Sequence, residues 1–289
     1  MPFCYYTSTD IQRKGRIRQF MKKAAILYIC TGAYVAFWED FFRSFEENFL
    51  PATHKEYFVF TDASCIYGEN DQKRVHRISQ ENLGWPGNTL FRFRMFRRIE
   101  SELTKFDYIF FMNANIICAQ TVTEQEFLPS EEQLLVVRHP GYYADLPYVY
   151  AYERRKASLA YIPYWKGKVY VCGGVNGGKA DAFLKLVKEL DERIDKDYQN
   201  GIIAAWHDES HINRYILERD DYRLLSPAYC YPESWDLPFE KKLVVLDKEK
   251  KIQLDQRKVF RQKEKPAMTA RVRKKATMIF WSVVYRFKG

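Results

Sequence analysis

The sequence predicts an α/β fold, an open sheet with at least one parallel pair of strands and helices on its faces. Three observations predict it. Apolar runs of strand length recur at Ala24–Thr31, Tyr57–Thr61, Phe106–Cys118 and Leu134–Arg138. The first two enclose a helical pattern, and strand, helix and strand within about forty residues imply a right-handed crossover and a parallel pair. In the second half a glycine-rich step, Gly173–Gly178, stands between a strand and a helix.

Composition sets the outer bounds. Of 289 residues, 47% are hydrophobic and 17% aromatic, which supports a core and excludes global disorder. Lys and Arg number 46 against 37 acidic residues, a formal charge of +9. The excess gathers at Gln12–Lys23, at Arg92–Arg98 and from Lys241 onward, so a globular body with basic ends is expected rather than a nucleic-acid groove. The six cysteines (Cys4, Cys30, Cys65, Cys118, Cys172, Cys230) show no metal-ligand spacing. They are expected to be reduced thiols in a cytoplasmic protein. No apolar stretch of ~18 residues and no secretory signal occurs, so no membrane-spanning helix is expected.

The elements follow in chain order. Residues 1–22 form a basic extension without period, and Met21, beside the first strand, is an alternative start. Ala24–Thr31 is a buried strand running into Gly32-Ala33-Tyr34. Phe37, Trp38, Phe41, Phe42, Phe45 and Phe49 then recur at helical spacing. Tyr57–Thr61 is the second strand, with Asp62 at its carboxyl end. Gly84–Asn88 is a turn, and Asn88 is the expected N-cap of a helix from Thr89 to Leu103.

Phe106–Cys118 reads as a strand, a polar step and a second apolar run. Side chains i and i+2 of an extended chain point the same way, which would bring Asn113 and Asn115 into one crevice at the carboxyl edge of the sheet. The same residues also suit a turn. Leu134–Arg138 is a strand, and Tyr142–Tyr170 is a Tyr-rich run of loops over a cleft. Val169–Cys172 enters the glycine step ahead of a helix Ala180–Asp195. Trp206-His207-Asp208-Glu209-Ser210 opens another helix, where acidic residues suit both capping and the dipole. Leu225–Phe239 is turn-rich and aromatic. A basic and apolar tail, residues 251–289, closes the chain. It fits a helix lying on an anionic membrane surface and equally a helix docked on the body.

Seven motifs occur in one order: Tyr57–Asp62 after a strand ending near Tyr34, Asn113-Ala114-Asn115, His139-Pro140, Tyr152-Glu153-Arg154-Arg155 with Ala160–Pro163, Gly173–Gly178, Trp206–Ser210 and Ser226-Pro227. On these the chain resembles glycosyltransferase family 6, the histo-blood-group A and B transferases and their bacterial relatives, from about Ala24 to Lys250. The resemblance implies a single catalytic domain, 23–250, of the GT-A type, with a Rossmann-like mixed sheet flanked by helices. It implies a UDP-sugar donor. Animal members carry Asp-x-Asp holding Mn²⁺ where this chain has Asn113-Ala114-Asn115. Neutral amides compete poorly for a hard dication, so no metal and no other cofactor is expected.

The resemblance also distributes roles. Ile29, Cys30, Thr31 and Tyr34 would hold uracil and ribose. Asn113, Ala114, Asn115, Arg92 and Lys248 would face the diphosphate, Lys248 as the replacement cation; solvated surface charge is the alternative for both cations. Cys172, Gly173 and Gly174 would line the pocket for the sugar's 2-substituent, where glycine leaves room for N-acetyl and favours UDP-GalNAc over UDP-Gal. Glu209 would act at the anomeric carbon, as nucleophile or as stabiliser of an oxocarbenium-like species. Asp208 would orient the donor sugar. His139, Trp206, His207 and Glu233 would meet the acceptor, a β-galactoside carrying α-1,2-fucose. The implied activity is a retaining, metal-independent α-1,3-N-acetylgalactosaminyltransferase making a blood-group-A-like antigen in a bacterial cytoplasm, with peripheral membrane contact through the tail. A UDP-Gal transferase and a non-catalytic glycan- or nucleotide-binding relative are the alternatives.

Overall fold

A computed structural model describes residues 21–70 and 73–252. The N-terminal extension, Cys4, the question of Met1 or Met21 as the start and the basic tail beyond residue 252 therefore lie outside the described residues.

The chain lays down β1 (Lys23–Ile29), α1 (Trp38–Asn48), β2 (His54–Thr61) and β3 (Val75–Ser79). Next come α2 (Gly84–Leu90), α3 (Arg92–Arg97), α4 (Glu100–Leu103), β4 (Tyr108–Met112), β5 (Ile116–Cys118) and α5 (Glu124–Phe127). Then follow β6 (Leu134–Arg138), β7 (Val171–Lys179), α6 (Ala180–Gln199), α7 (His207–Ile216) and β8 (Tyr222–Leu225). The described residues end with β9 (Tyr231–Pro232), β10 (Leu243–Val245) and α8 (Lys248–Lys251). The main sheet has the order β3-β2-β1-β4-β7-β6-β8. β1, β2, β3 and β4 run parallel, whereas β7 is antiparallel to both its neighbours. A small second sheet, β5-β10-β9, stands beside it.

Two cores form because the central strands are apolar on both faces. Ile26, Tyr28 and Phe110 meet the aromatic stripe of α1, whose Phe41 and Phe45 rings stack 4.0 Å apart. Leu27, Ile109 and Phe111 face Phe93, Phe96, Phe183 and Ile212 from α3, α6 and α7. The reversed run of β7 matters most for function. Its amino-terminal half meets the carboxyl end of β4, with Met112 opposite Val175 and the Asn113 N–H donating to the Gly174 carbonyl at 2.9 Å. The glycine step thus reaches the edge where β1 also ends.

The structure revises several expectations. The helix from Thr89 to Leu103 is three short pieces, and Asn88 lies inside α2 rather than at an N-cap. Its side-chain amide donates to Thr31 Oγ1 and Asn82 Oδ1, fastening α2 to the end of β1. Gly173–Gly178 is part of a buried strand, not a connection after one. The reason is close approach: a Cβ on Gly177 would sit 2.3 Å from the Ile109 carbonyl oxygen and from the Phe110 ring. The basic run Arg92–Arg98 is not a free cationic surface, since Arg94 and Arg97 pair with Asp191 and Arg94 also with Asp195 on α6. Cys30, Cys118, Cys172 and Cys230 are buried free thiols and Cys65 an exposed one. Burial pushes Cys30 and Cys118 up to about 12, the state of an inert core thiol. Among the described residues no helix is long and apolar enough to cross a membrane.

Candidate active site

At the carboxyl edge of β1 and β4 lies a cleft of about 170 Å³, lined by Thr89, Arg92, Asn113, Gly173, Gly174, Trp206, His207, Asp208 and Glu209. Four parts of the chain meet there: the adjoining ends of α2 and α3, the end of β4, the first half of β7 and the first turn of α7. Helix starts carry free N–H groups and a positive dipole end, which suits the two adjacent carboxyls of α7.

Glu209 is clamped at both oxygens. The Tyr170 hydroxyl donates to Oε1 at 2.7 Å and the Gly173 N–H donates to Oε2 at 2.8 Å. Protein surrounds the carboxyl closely, although the cleft leaves the residue partly open to solvent. Burial raises its pKa from 4.5 to about 7, against the pull of those two donors. Asp208 is buried outright, and burial raises it from 3.8 to about 6 against the pull of Arg92. Arg92 Nη1 lies 3.1 Å from Asp208 Oδ2 and donates to the Gly173 carbonyl at 2.8 Å. The Asp208 contact is an ion pair without hydrogen-bond geometry, which leaves Asp208 Oδ2 buried without a hydrogen-bond partner; Arg92 Nε, a different atom of the guanidinium, is also buried without one. Unsatisfied buried polar atoms in a cleft are groups that an incoming hydroxyl can satisfy.

Two glycines hold the floor open. A Cβ on Gly173 would stand 3.1 Å from Asp208 Oδ2 and 3.2 Å from Glu209 Cβ, displacing the carboxyls. One on Gly174 would meet Asn113 Nδ2 at 2.8 Å and Cys230 Sγ at 3.7 Å. Cys172 is buried beside Cys230, at the base of the same strand.

The remaining expected residues divide. His207 and Trp206 are at the rim, and Trp206 is 53% exposed. His207 adopts φ +51°, an uncommon left-handed backbone, with Nδ1 3.3 Å from Thr89 Oγ1 and its ring against Trp85. His139 Nδ1 accepts from the Gly141 N–H at 2.9 Å, and burial lowers its pKa to about 4, so it is neutral with Nε2 as donor. It packs on Tyr170, which touches Glu209. Ile29, Cys30, Thr31 and Tyr34 follow one another off the end of β1, and the Tyr28 hydroxyl donates to the Ala114 carbonyl at 2.8 Å. That segment and the Asn113–Asn115 step are therefore neighbours.

Asn113 and Asn115 do not enter the cleft together. Asn115 turns away, donating from Nδ2 to the Leu246 carbonyl at 2.7 Å while its own carbonyl accepts from the Leu246 N–H. Lys248 is exposed at the start of α8, two residues beyond that link, and is not among the lining residues. Glu233 is also outside: its carboxylate accepts from the Asp247 N–H at 2.9 Å and pairs with Lys250, which together pull its pKa down. Arg155 pairs with the buried Glu153, and Arg154 donates to the Ile162 carbonyl, so both hold loops. Sequence reasoning missed Thr89 and Tyr170. Thr89 lies three residues before Arg92 across the break between α2 and α3, so helical spacing pointed to it only in part. Tyr170 is one of 21 tyrosines, with no local signal. A separate hollow of about 300 Å³, bordered by Tyr152, Lys168, Asn213 and Tyr222, contains neither Asp208 nor Glu209.

The family model described as Glycosyltransferase family 6 matches residues 19–257. The O-antigen biosynthesis glycosyltransferase WbnI of Escherichia coli is 36% identical over 78% of this chain and 94% of its own length. Histo-blood group ABO system transferase 1 of Rattus norvegicus is 28% identical over 69% of this chain, and Globoside alpha-1,3-N-acetylgalactosaminyltransferase 1 of Gallus gallus 28% over 72%. The chain spans only 58% and 62% of those two animal proteins. Its seven-stranded mixed sheet with flanking helices agrees with the GT-A type architecture expected for the group. A match over most of the chain, with a bacterial relative aligned almost end to end, establishes that the chain belongs to glycosyltransferase family 6.

Proposed function

We propose that this glycosyltransferase moves GalNAc from UDP-GalNAc to the 3-hydroxyl of a β-galactoside, with retention and without a metal ion. The observation that carries the reading is Glu209, held by two donors over a strand whose adjacent residues are both glycine. A carboxylate beneath an anomeric carbon serves retention by attack or by stabilising positive charge. Asp208 and Arg92, each with an unsatisfied polar atom, are placed for sugar hydroxyls. The name of the globoside relative favours a 1,3-linked N-acetylgalactosamine product, and the resemblance to the histo-blood-group transferases favours an α-1,2-fucosylated acceptor.

The metal-free part rests on the donor set. Asn113 and Asn115 are neutral, and the Asn115 amide is engaged by Leu246. Neutral amides suit a divalent cation poorly, and charge on the departing diphosphate is left to fixed donors of the cleft, such as the Asn113 amide. Incubation with UDP-GalNAc and 2′-fucosyllactose in EDTA is expected to release UDP at the rate seen without chelator. Loss of release under EDTA, restored by Mn²⁺, refutes the metal-free reading.

Donor choice has its own test. In Gly174→Ala the new methyl displaces the Asn113 amide and narrows the space beside Cys230. The ratio of kcat/KM for UDP-GalNAc to that for UDP-Gal is expected to fall about tenfold or more, the usual scale for one methyl in a pocket. An unchanged ratio removes Gly174 from donor selection.

A further inference from the structure

We propose that Tyr170 is the positioning residue of the transfer, its hydroxyl holding the Glu209 carboxylate, jointly with the Gly173 N–H, in a single orientation toward the cleft. This inference rests on Glu209 as the reacting carboxylate.

A glutamate side chain has three rotatable bonds, and freedom about them is lost catalytic geometry. The clamp removes that freedom by taking each oxygen separately, Oε1 by Tyr170 and Oε2 by Gly173. The two donors flank Val171 and Cys172, and that stretch is strapped to α7 itself. Asn213 Oδ1 accepts from the Val171 N–H at 3.0 Å, and Asn213 Nδ2 donates to the Val171 carbonyl and to the Glu209 carbonyl, each at 2.9 Å. Donors and acceptor are thus fixed in one frame.

The phenol is fixed as well. Its ring is fully buried among Tyr142, Tyr150, Tyr152 and His139, with centroids 4.8 to 6.0 Å away. The His139 N–H donates to the Tyr170 carbonyl at 2.9 Å. A tyrosine enclosed by four rings, with its hydroxyl on a carboxylate, costs burial of a polar group and gains a charge-assisted bond in return. Burial beside Glu209 pushes the phenol well above its ordinary value, so it remains a donor at every working pH.

The charged and titratable groups facing Glu209 are Arg92 from α3, Asp208 on α7, Tyr142 and Tyr170 from the loops before β7, and Cys230. Of these, Tyr170 alone bonds its side chain directly. Removing that bond weakens the ionised form, so the acid limb of the rate profile moves to higher pH.

Tyr170→Phe keeps the ring and deletes the donor. With the acceptor saturating, kcat for UDP-GalNAc is expected to fall about tenfold or more while donor KM stays within about threefold. The acid limb of kcat is expected to rise by about half a pH unit or more. Tyr150→Phe is the cage control, because that hydroxyl donates to the Asp145 carbonyl; its profile should match the parent. 3-Fluorotyrosine at position 170 retains ring and hydroxyl as a stronger donor, and should move the limb to lower pH even if Tyr170→Phe fails to fold. An acid limb that moves in neither variant overturns the proposal. Glu209→Gln run alongside separates the two readings. If it is inactive while the position-170 variants behave as the parent, only the role of Tyr170 falls. If it is fully active, the proposed reacting carboxylate falls too.

Discussion

Glu209→Gln is expected to lower kcat for GalNAc transfer by about a thousandfold or more, with donor KM changed only a few-fold, as for loss of a group acting in the transition state. The substitution isolates charge. The amide oxygen can still accept from the Gly173 N–H, and the amide nitrogen can donate to the Tyr170 oxygen, whose hydroxyl is free to reorient. Near-parental turnover would remove Glu209 from the chemistry whatever its surroundings.

The same variant carries a stability signature of definite sign. Folding raises this carboxyl from 4.5 to about 7, so its ionisation opposes the folded state. Whatever the group contributes is fully present below pH 4.5 and is lost as the pH rises through about 7. The effect is about 2 kcal/mol at pH 8, discounted for the solvent that reaches Glu209 through the cleft. Glutamine has no such dependence. Thermal melts should place Glu209→Gln at or above the parent at pH 8, with the relative advantage shrinking toward pH 5. A variant relatively less stable at pH 8 than at pH 5 contradicts the raised pKa. An inactive enzyme that melts higher is the expected result where a catalytic charge is held at a cost to folding.

What was legible in the sequence depended on how local each signal was. β1 and β4 are runs apolar on both faces, and α1 is a stripe of aromatics, so periodicity alone found them. Asp208 and Glu209 were singled out through the family resemblance, since acidic residues at a helix start read by themselves as capping; being adjacent in one short motif, they come to the cleft together. β7 was misread because four of its nine residues are glycine, and strand propensity argues against them; the cause is the close approach of Ile109 and Phe110, a tertiary fact. Asn113 and Asn115 were expected to act together from i, i+2 spacing. That spacing holds only while the backbone stays extended, and the backbone turns between β4 and β5. Glu233 looked available for an acceptor, but a carboxylate near a lysine-rich segment first pairs with its own chain, here Lys250 and the Asp247 N–H. Tyr170 needed its partner's position 39 residues away.

Arg92 yields the second large effect, and it separates structure from chemistry. In Arg92→Leu the cation leaves while Asp208 stays, and with it go the bond to the Gly173 carbonyl and the guanidinium 4.2 Å over the Phe111 ring. Stability at pH 7 is expected to fall by about 3–4 kcal/mol, mostly because a buried charge has lost its partner. Protonation limits the loss: Asp208, already raised to about 6, climbs further and becomes neutral before the full penalty is reached. The loss should therefore grow with pH and level off once Asp208 must ionise in both states. Asp208→Asn in the same chain removes the stranded charge, so Arg92→Leu/Asp208→Asn should be more stable than Arg92→Leu alone, by about 1–2 kcal/mol in denaturant titrations. Activity should not return with stability, since neither residue then remains to meet the sugar. A double variant no more stable than Arg92→Leu would show that Arg92 acts by filling space over Phe111; one that regains transfer would show that neither a contact of this pair with the donor nor the Arg92 bond to Gly173 is needed for the reaction.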